Sequence, residues 1–265
     1  VVLMLVPLVI GTCGTCGTDS AVDWMLSITR EIAEELGQSL KVAVLYSSQP
    51  VDRVCTALRE DRIVPLHPAP DLNESSLGEC TNIVALAGAE QIGAALDTGA
   101  DIVLAGRATD TAVVSALSLR RGDKPGAAWH GAKIAECGAL CSTDPTSGVV
   151  LLDIDGLGFT VEAMSEQAAC TPHSVSAHML YENADPFVLY EPGGHLDVTQ
   201  ARYLALDDER VRVTGSQWVP AERYTVKLEG ARVGGYQTTV MATLRQENYV
   251  ANAREWVEKL RVFLR

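Results

Sequence analysis

The chain has 265 residues and carries 21 Lys and Arg against 34 Asp and Glu, a formal net charge of −13. That balance disfavours any partner held through phosphates, so nucleic acid is not expected. With 47% apolar and 21% charged residues the chain can bury a core, and only 5% aromatic content favours α/β layers packed on small aliphatics over an aromatic-cored sandwich.

The apolar opening, residues 1–10, is shorter than the roughly 20 residues a membrane-spanning helix needs, and no basic flank of a signal peptide precedes it. It reads as a buried strand, and no membrane partner is expected. Seven cysteines, an odd number, fit a reducing compartment, so the expected location is cytoplasmic.

After that strand, Ala21, Met25, Ile28, Ile32 and Leu36 recur at helical spacing until Gly37. A strand over 41–46 is followed by Ser47, Ser48 and Pro50, a cap and first turn, and a helix to about Arg59. Residues 82–86 and 101–105 read as buried strands separated by a helix over 89–97. A helix over 109–119, a turn cluster at 122–126 and a helix over 129–141 come next. Strands alternating with helices predict an α/β region over residues 1–146, a mainly parallel sheet flanked by helices.

Residues 147–265 read as a mixed α+β region with antiparallel hairpins. Residues 203–206 and 211–213 form one hairpin across Asp207-Asp208-Glu209, and 224–228 and 237–244 could add strands. The tripeptide Leu-Tyr-Glu stands at 180–182 and again at 189–191. Near the C-terminus, Trp256, Leu260, Phe263 and Leu264 present large apolar side chains that call for a partner surface, so an oligomer is expected.

Several residue sets could carry chemistry. The loop around Gly14, Gly17 and Asp19 joins a strand to a helix, where amides and the helix end favour an anion; the alternative is a tight turn with Asp19 or Ser20 as cap. Cys13 and Cys16 form C-x-x-C, readable as a redox dithiol, as half a zinc site with Cys137 and Cys141, or as space-filling thiols. Arg107 and Asp110 should lie at strand carboxyl ends, where ligands of open α/β sheets bind, and a guanidinium can hold a substrate carboxylate through two hydrogen bonds. His130 and Lys133 share a helix face with Cys137, and Glu136 is three residues from Lys133, an inventory of acid, base and electrostatic groups. His178, Tyr181 and Asn183 belong to a polar cluster ahead of Pro186 that could line a site or form a plain turn. Lys227 and Glu229 alternate with apolar residues as a strand's solvent face would. His173 and His178 are five apart, off the spacing of paired helical ligands, so no metal and no cofactor is expected.

Five stretches in order resemble the acyclic terpene utilisation protein A (AtuA) family: residues 10–19 (IGTCGTCGTD), 99–110 (GADIVLAGRATD), 128–138 (AWHGAKIAECG), 178–186 (HMLYENADP) and 224–230 (YTVKLEG). The resemblance spans nearly the whole chain and implies relatedness more firmly than chemistry. It is greatest to members labelled as ammonia-lyases of the 3-methylaspartate type, which implies a lyase. Such members are often encoded beside a small companion protein, so the expected assembly is a homo-oligomer or a hetero-oligomer with a small companion subunit. Family chains extend beyond both ends seen here, so the chain is expected to be truncated relative to them.

The expectation is therefore a cofactor-independent lyase or isomerase that abstracts a proton from a small carboxylate. Asp110, His130, Lys133 and Glu136 are its catalytic candidates. Gly14, Gly17, Asp19, Arg107, His178, Tyr181 and Asn183 would bind the anionic substrate. The alternatives are a hydratase or lyase of a branched acyl thioester and a non-catalytic subunit of a heteromeric enzyme.

Overall fold

A computed structural model describes residues 6–146 and 148–263. Residues 1–5 of the expected opening strand, and Leu264 of the C-terminal stripe, lie outside these. The chain divides into two units, Val1–Arg232 and Val233–Arg265.

The first unit opens with β1 (Leu8–Ile10), α1 (Asp19–Glu35), β2 (Val42–Leu45), α2 (Val51–Arg59), α3 (Glu74–Gly78), β3 (Asn82–Ala85), α4 (Ala89–Asp97), β4 (Ile102–Ala105) and α5 (Asp110–Arg121). Thr18 and Thr109 accept the free amides at the starts of α1 and α5, and Gly122, at φ +87, ends α5 as only glycine does without strain. Strands β1, β4 and β2 pair in parallel in that spatial order, with every residue of the central β4 buried. The parallel sheet stops there. β3 pairs antiparallel with β12 (Leu228–Ala231), far along the chain, and Ala85 donates to the Ser47 carbonyl. An apolar run fixes burial on both faces but not the neighbour, so β3 reads as a parallel strand while belonging to a separate two-stranded ladder.

Next comes α6 (Pro125–Ala135), in which every residue from Gly126 to Ile134 is buried. The helix expected to reach Cys141 ends early, and a short 3-10 turn, Gly138–Cys141, follows with Gly138 at φ +63. One side of α6 lies on a four-stranded antiparallel sheet of β5 (Val150–Ile154), β6 (Gly158–Ala163), β10 (Arg210–Thr214) and β9 (Arg202–Ala205), in that order. Phe159, Val161, Val211 and Val213 fill the space between them. Val213 faces Tyr203 across the expected hairpin. α7 (Pro172–Ala177) and a 3-10 turn, His178–Leu180, lead to β7 (Val188–Glu191) and β8 (Gly194–Asp197), which form a second antiparallel sheet with β11 (Gln217–Pro220). Trp218 of β11 stacks on Trp129 of α6 with ring centroids 4.8 Å apart. Residues 224–227 lead into β12 rather than forming a strand, and 237–244 have no regular structure.

The second unit contains α8 (Glu247–Ala251) and α9 (Ala253–Phe263), with Trp256, Leu260 and Phe263 exposed. No helix among the described residues is long and apolar enough to cross a membrane.

Candidate active site

The loops leaving β1, β2, β3 and β4 at their carboxyl ends are tied together around Arg107. Its amide donates to the Gly17 carbonyl (3.0 Å), and its own carbonyl accepts from the Ser47 hydroxyl and the Ala87 amide (both 2.9 Å). Gly17 sits at φ +64, and a Cβ there would fall 2.2 Å from the Arg107 nitrogen; at Gly14, φ +60, it would fall 2.7 Å from the Ala21 Cβ. Both positions need glycine. The loop's amides turn inward: Cys13 donates to Ala105, Thr15 to Thr12, Cys16 to Gly14 and Gly17 to Cys13. Asp19 accepts from the amides of Ser47 and Ser48 at 3.1 and 3.0 Å. The amides of Gly17 and Asp19 are thus engaged within the loop's own frame. The Arg107 guanidinium donates to Glu229 from Nε (2.8 Å) and Nη2 (3.3 Å), and Glu229 also pairs with Lys227 at 2.7 Å.

A second set of charges comes from the first turn of α5, the last turn of α6, the 178–182 stretch and the end of β7. Lys133 pairs with Glu136 and donates to the Tyr181 carbonyl at 2.7 Å, with side-chain exposures of 3% for the lysine and 8% for the glutamate. Its Nζ lies 5.6 Å from the Tyr181 ring centroid. Burial pushes the Glu136 carboxyl up; Lys133 opposes the rise, and Asp110 and Glu182 add to it. Glu191 accepts from the Thr111 hydroxyl. Its carboxyl is pushed up to about 7, chiefly by burial, with Thr109, Thr111 and Lys133 opposing and Glu136 contributing. His178 stacks on the Tyr181 ring at 5.4 Å, and burial, helped by the Lys133 charge, lowers it to about 4. Three buried side-chain atoms have no hydrogen-bond partner among the described residues: Glu191 Oε2 and His178 Nε2 in this set, and Ser115 Oγ farther along α5. Buried ionisable groups with displaced pKa values and uncommitted polar atoms make this set a candidate functional site.

The structure therefore brings together Asp110, Lys133, Glu136, His178 and Tyr181, and Asp110 also lies within electrostatic reach of Arg107. It separates His130 from them. That ring is fully buried against Phe159, with Nδ1 2.6 Å from the Ser216 hydroxyl and Nε2 3.2 Å from the Tyr203 hydroxyl; burial lowers it to about 3. Both ring nitrogens already have partners within the core. Asn183 donates to the carbonyls of Asp185 and Val188 and braces a turn. The four cysteines of the zinc alternative do not meet: the Cys141 thiol contacts Cys170, and Cys137 lies beside Tyr181. Among the described residues no group of three His, Cys, Asp or Glu is placed to hold a metal ion. Sequence reasoning missed Glu191, Thr111 and the Glu229 partnership. The doubled Leu-Tyr-Glu was the available signal, since one of its glutamates, Glu182, acts on Glu136 and the other, Glu191, feels the Glu136 charge.

A comparison with protein families matches residues 9–265 to the Acyclic terpene utilisation family protein AtuA. The chain belongs to the AtuA family. Membership implies a role in acyclic terpene utilisation. No curated protein and no solved structure matches the chain.

Proposed function

We propose that this AtuA-family chain is a cofactor-independent lyase or isomerase that moves the proton next to the carbonyl of a small branched carboxylate. The observation that carries the reading is the enclosed Lys133–Glu136 pair, set among Asp110, Glu191 and His178. Removing such a proton leaves negative charge on the carbonyl oxygen, and a desolvated ammonium that is already fixed in place stabilises that charge far better than water does. Lys133 is held on one side by Glu136 and on the other by the Tyr181 carbonyl, so its position needs no reorganisation during the step. Glu136 and Asp110 supply carboxylates to carry protons, and Arg107 is the candidate to meet the substrate carboxylate. The family's role in acyclic terpene utilisation supports a branched carbon skeleton.

The test is proton exchange in D2O. The full chain, with 3-methyl-2-oxopentanoate as probe, should speed loss of the proton beside the carbonyl in the ¹H NMR spectrum. Lys133→Met should reduce that rate about 100-fold or more. No acceleration by the wild-type chain, or full acceleration by the variant, refutes the reading.

A further inference from the structure

The geometry points to Glu191 as the group that takes the substrate proton, through its Oε2, with Thr111 holding that carboxyl in place and Thr109 beside it. The inference rests on the proton-transfer reading above and names its base. Glu191 ends β7, and the turn that follows passes through Pro192 and Gly193, the latter at φ +84, with the Gly193 carbonyl accepting from Ala221 at 2.9 Å. This turn fixes the side chain from its own strand. Thr111 in the first turn of α5 donates to Oε1, and although Thr109 stands close enough to stabilise the carboxylate, Oε2 has no partner in hydrogen-bond geometry. An uncommitted carboxylate oxygen buried in protein is costly unless a proton, a water or a ligand meets it.

Comparison with its neighbours singles Glu191 out. Glu136 is tied to Lys133, and Lys133 divides its protons between Glu136 and the Tyr181 carbonyl. His130 has partners at both nitrogens. His178 keeps a free Nε2, but burial holds that ring neutral well below pH 6. The groups facing Glu191 are Thr109 and Thr111 from the start of α5, Lys133 and Glu136 from α6, and Tyr224 from the segment before β12, whose hydroxyl is anchored on Glu90 of α4 at 2.9 Å. Burial brings this carboxyl to about 7, where it can both accept and return a proton near neutrality.

The step balances. The C–H bond beside the substrate carbonyl breaks, its proton forms an O–H bond at Glu191 Oε2, and its electron pair moves into the carbonyl to give an enolate facing the Lys133 ammonium. Return of the same proton at a new carbon, or departure of a β-substituent with the electron pair, completes an isomerisation or an elimination.

The experiment has two arms. In the full chain carrying glutamate ¹³C-labelled at Cδ, one carboxyl should titrate near pH 7, vanish in Glu191→Gln, and move upward in Thr111→Val, which removes the donor to Oε1. With 3-methyl-2-oxopentanoate in D2O, Glu191→Gln should lose about 100-fold or more of the exchange rate, and in Thr111→Val the acid limb of the pH profile should shift upward by the same amount as the carboxyl. A Glu191 carboxyl that titrates below pH 5, as one solvated by a resident water would, overturns the inference. So does wild-type exchange by Glu191→Gln; if Lys133→Met then still abolishes exchange, the proton-transfer reading stands without Glu191. No exchange by the wild-type chain removes both.

Discussion

The Lys133 ammonium bridges two chain segments, pairing with the Glu136 carboxylate one helical turn away and donating to the Tyr181 carbonyl at 2.7 Å, with almost no water reaching either charge. A buried pair of this kind adds little net stability when whole, because desolvation offsets attraction, yet breaking it leaves an uncompensated charge. Lys133→Met or Glu136→Gln alone should therefore cost about 3–5 kcal/mol in urea unfolding. The double variant should recover much of that loss. Equal and additive losses would mean that the two charges are not coupled.

Glu191 makes the opposite linkage to pH. Its carboxyl rises from 4.5 to about 7 on folding, so the folded chain binds a proton that the unfolded chain has released. Its contribution is fully present below pH 4.5 and is lost as pH rises through 7, up to about 3 kcal/mol. Glu191→Gln should thus be more stable than wild type at pH 8 and lose that advantage near pH 4.5. Thermal unfolding at both pH values checks the difference.

His130 works in the acid range. Burial lowers it from 6.5 to about 3, so the stability it confers is present above pH 6.5 and disappears as pH falls toward 3. His130→Asn, which can still hydrogen-bond but does not titrate, should be about 1–3 kcal/mol less stable at pH 7 and show a flatter acid limb. Acid unfolding followed by circular dichroism separates the two effects. An unchanged acid limb would show that other groups drive acid unfolding.

Gly17→Ala tests the loop around Arg107. A methyl group there meets backbone at 2.2 Å and a backbone φ of +64, so neither side-chain motion nor rotamer choice relieves it. The variant should lose about 2 kcal/mol or more and disturb the amide signals of Arg107 and Thr12. Gly37→Ala, at a similar φ but with no atom within 4 Å, should cost less, about 1 kcal/mol.

Much of the first half was legible because its signals are local. The helix over 89–97, the helix read from 109, whose first residue proves to be its cap, and the strand ending at Ala105 follow from residues within one turn of each other. β3 was placed in the wrong sheet because its partners, Ser47 and β12, are set by distant segments. The site was legible as an inventory but not as an arrangement. Spacing put His130 and Lys133 on neighbouring parts of α6, yet only the packing of Phe159 and Tyr203 turns the histidine into core, and only the approach of Tyr181 makes the lysine part of a site. Glu191 is marked in the sequence only by the repeated Leu-Tyr-Glu, since its environment comes from α5 and α6.

The enclosure of α6 on every side has a consequence for engineering this chain. Gly126 lies so close to Ser216 that a Cβ would fall 2.3 Å from its carbonyl oxygen, and Trp129 is clamped by Trp218, so the helix cannot shift along its axis without colliding with β11 or its approach. A library that randomises α6 for thermostability will move Lys133 whenever it moves the helix, and so disturb its contacts with Glu136 and Tyr181. Stabilising substitutions are better sought on the exposed side of α1, at Trp24 and Ile32, and at Leu36 just past its end, where sequence can vary without disturbing the Lys133–Glu136 pair.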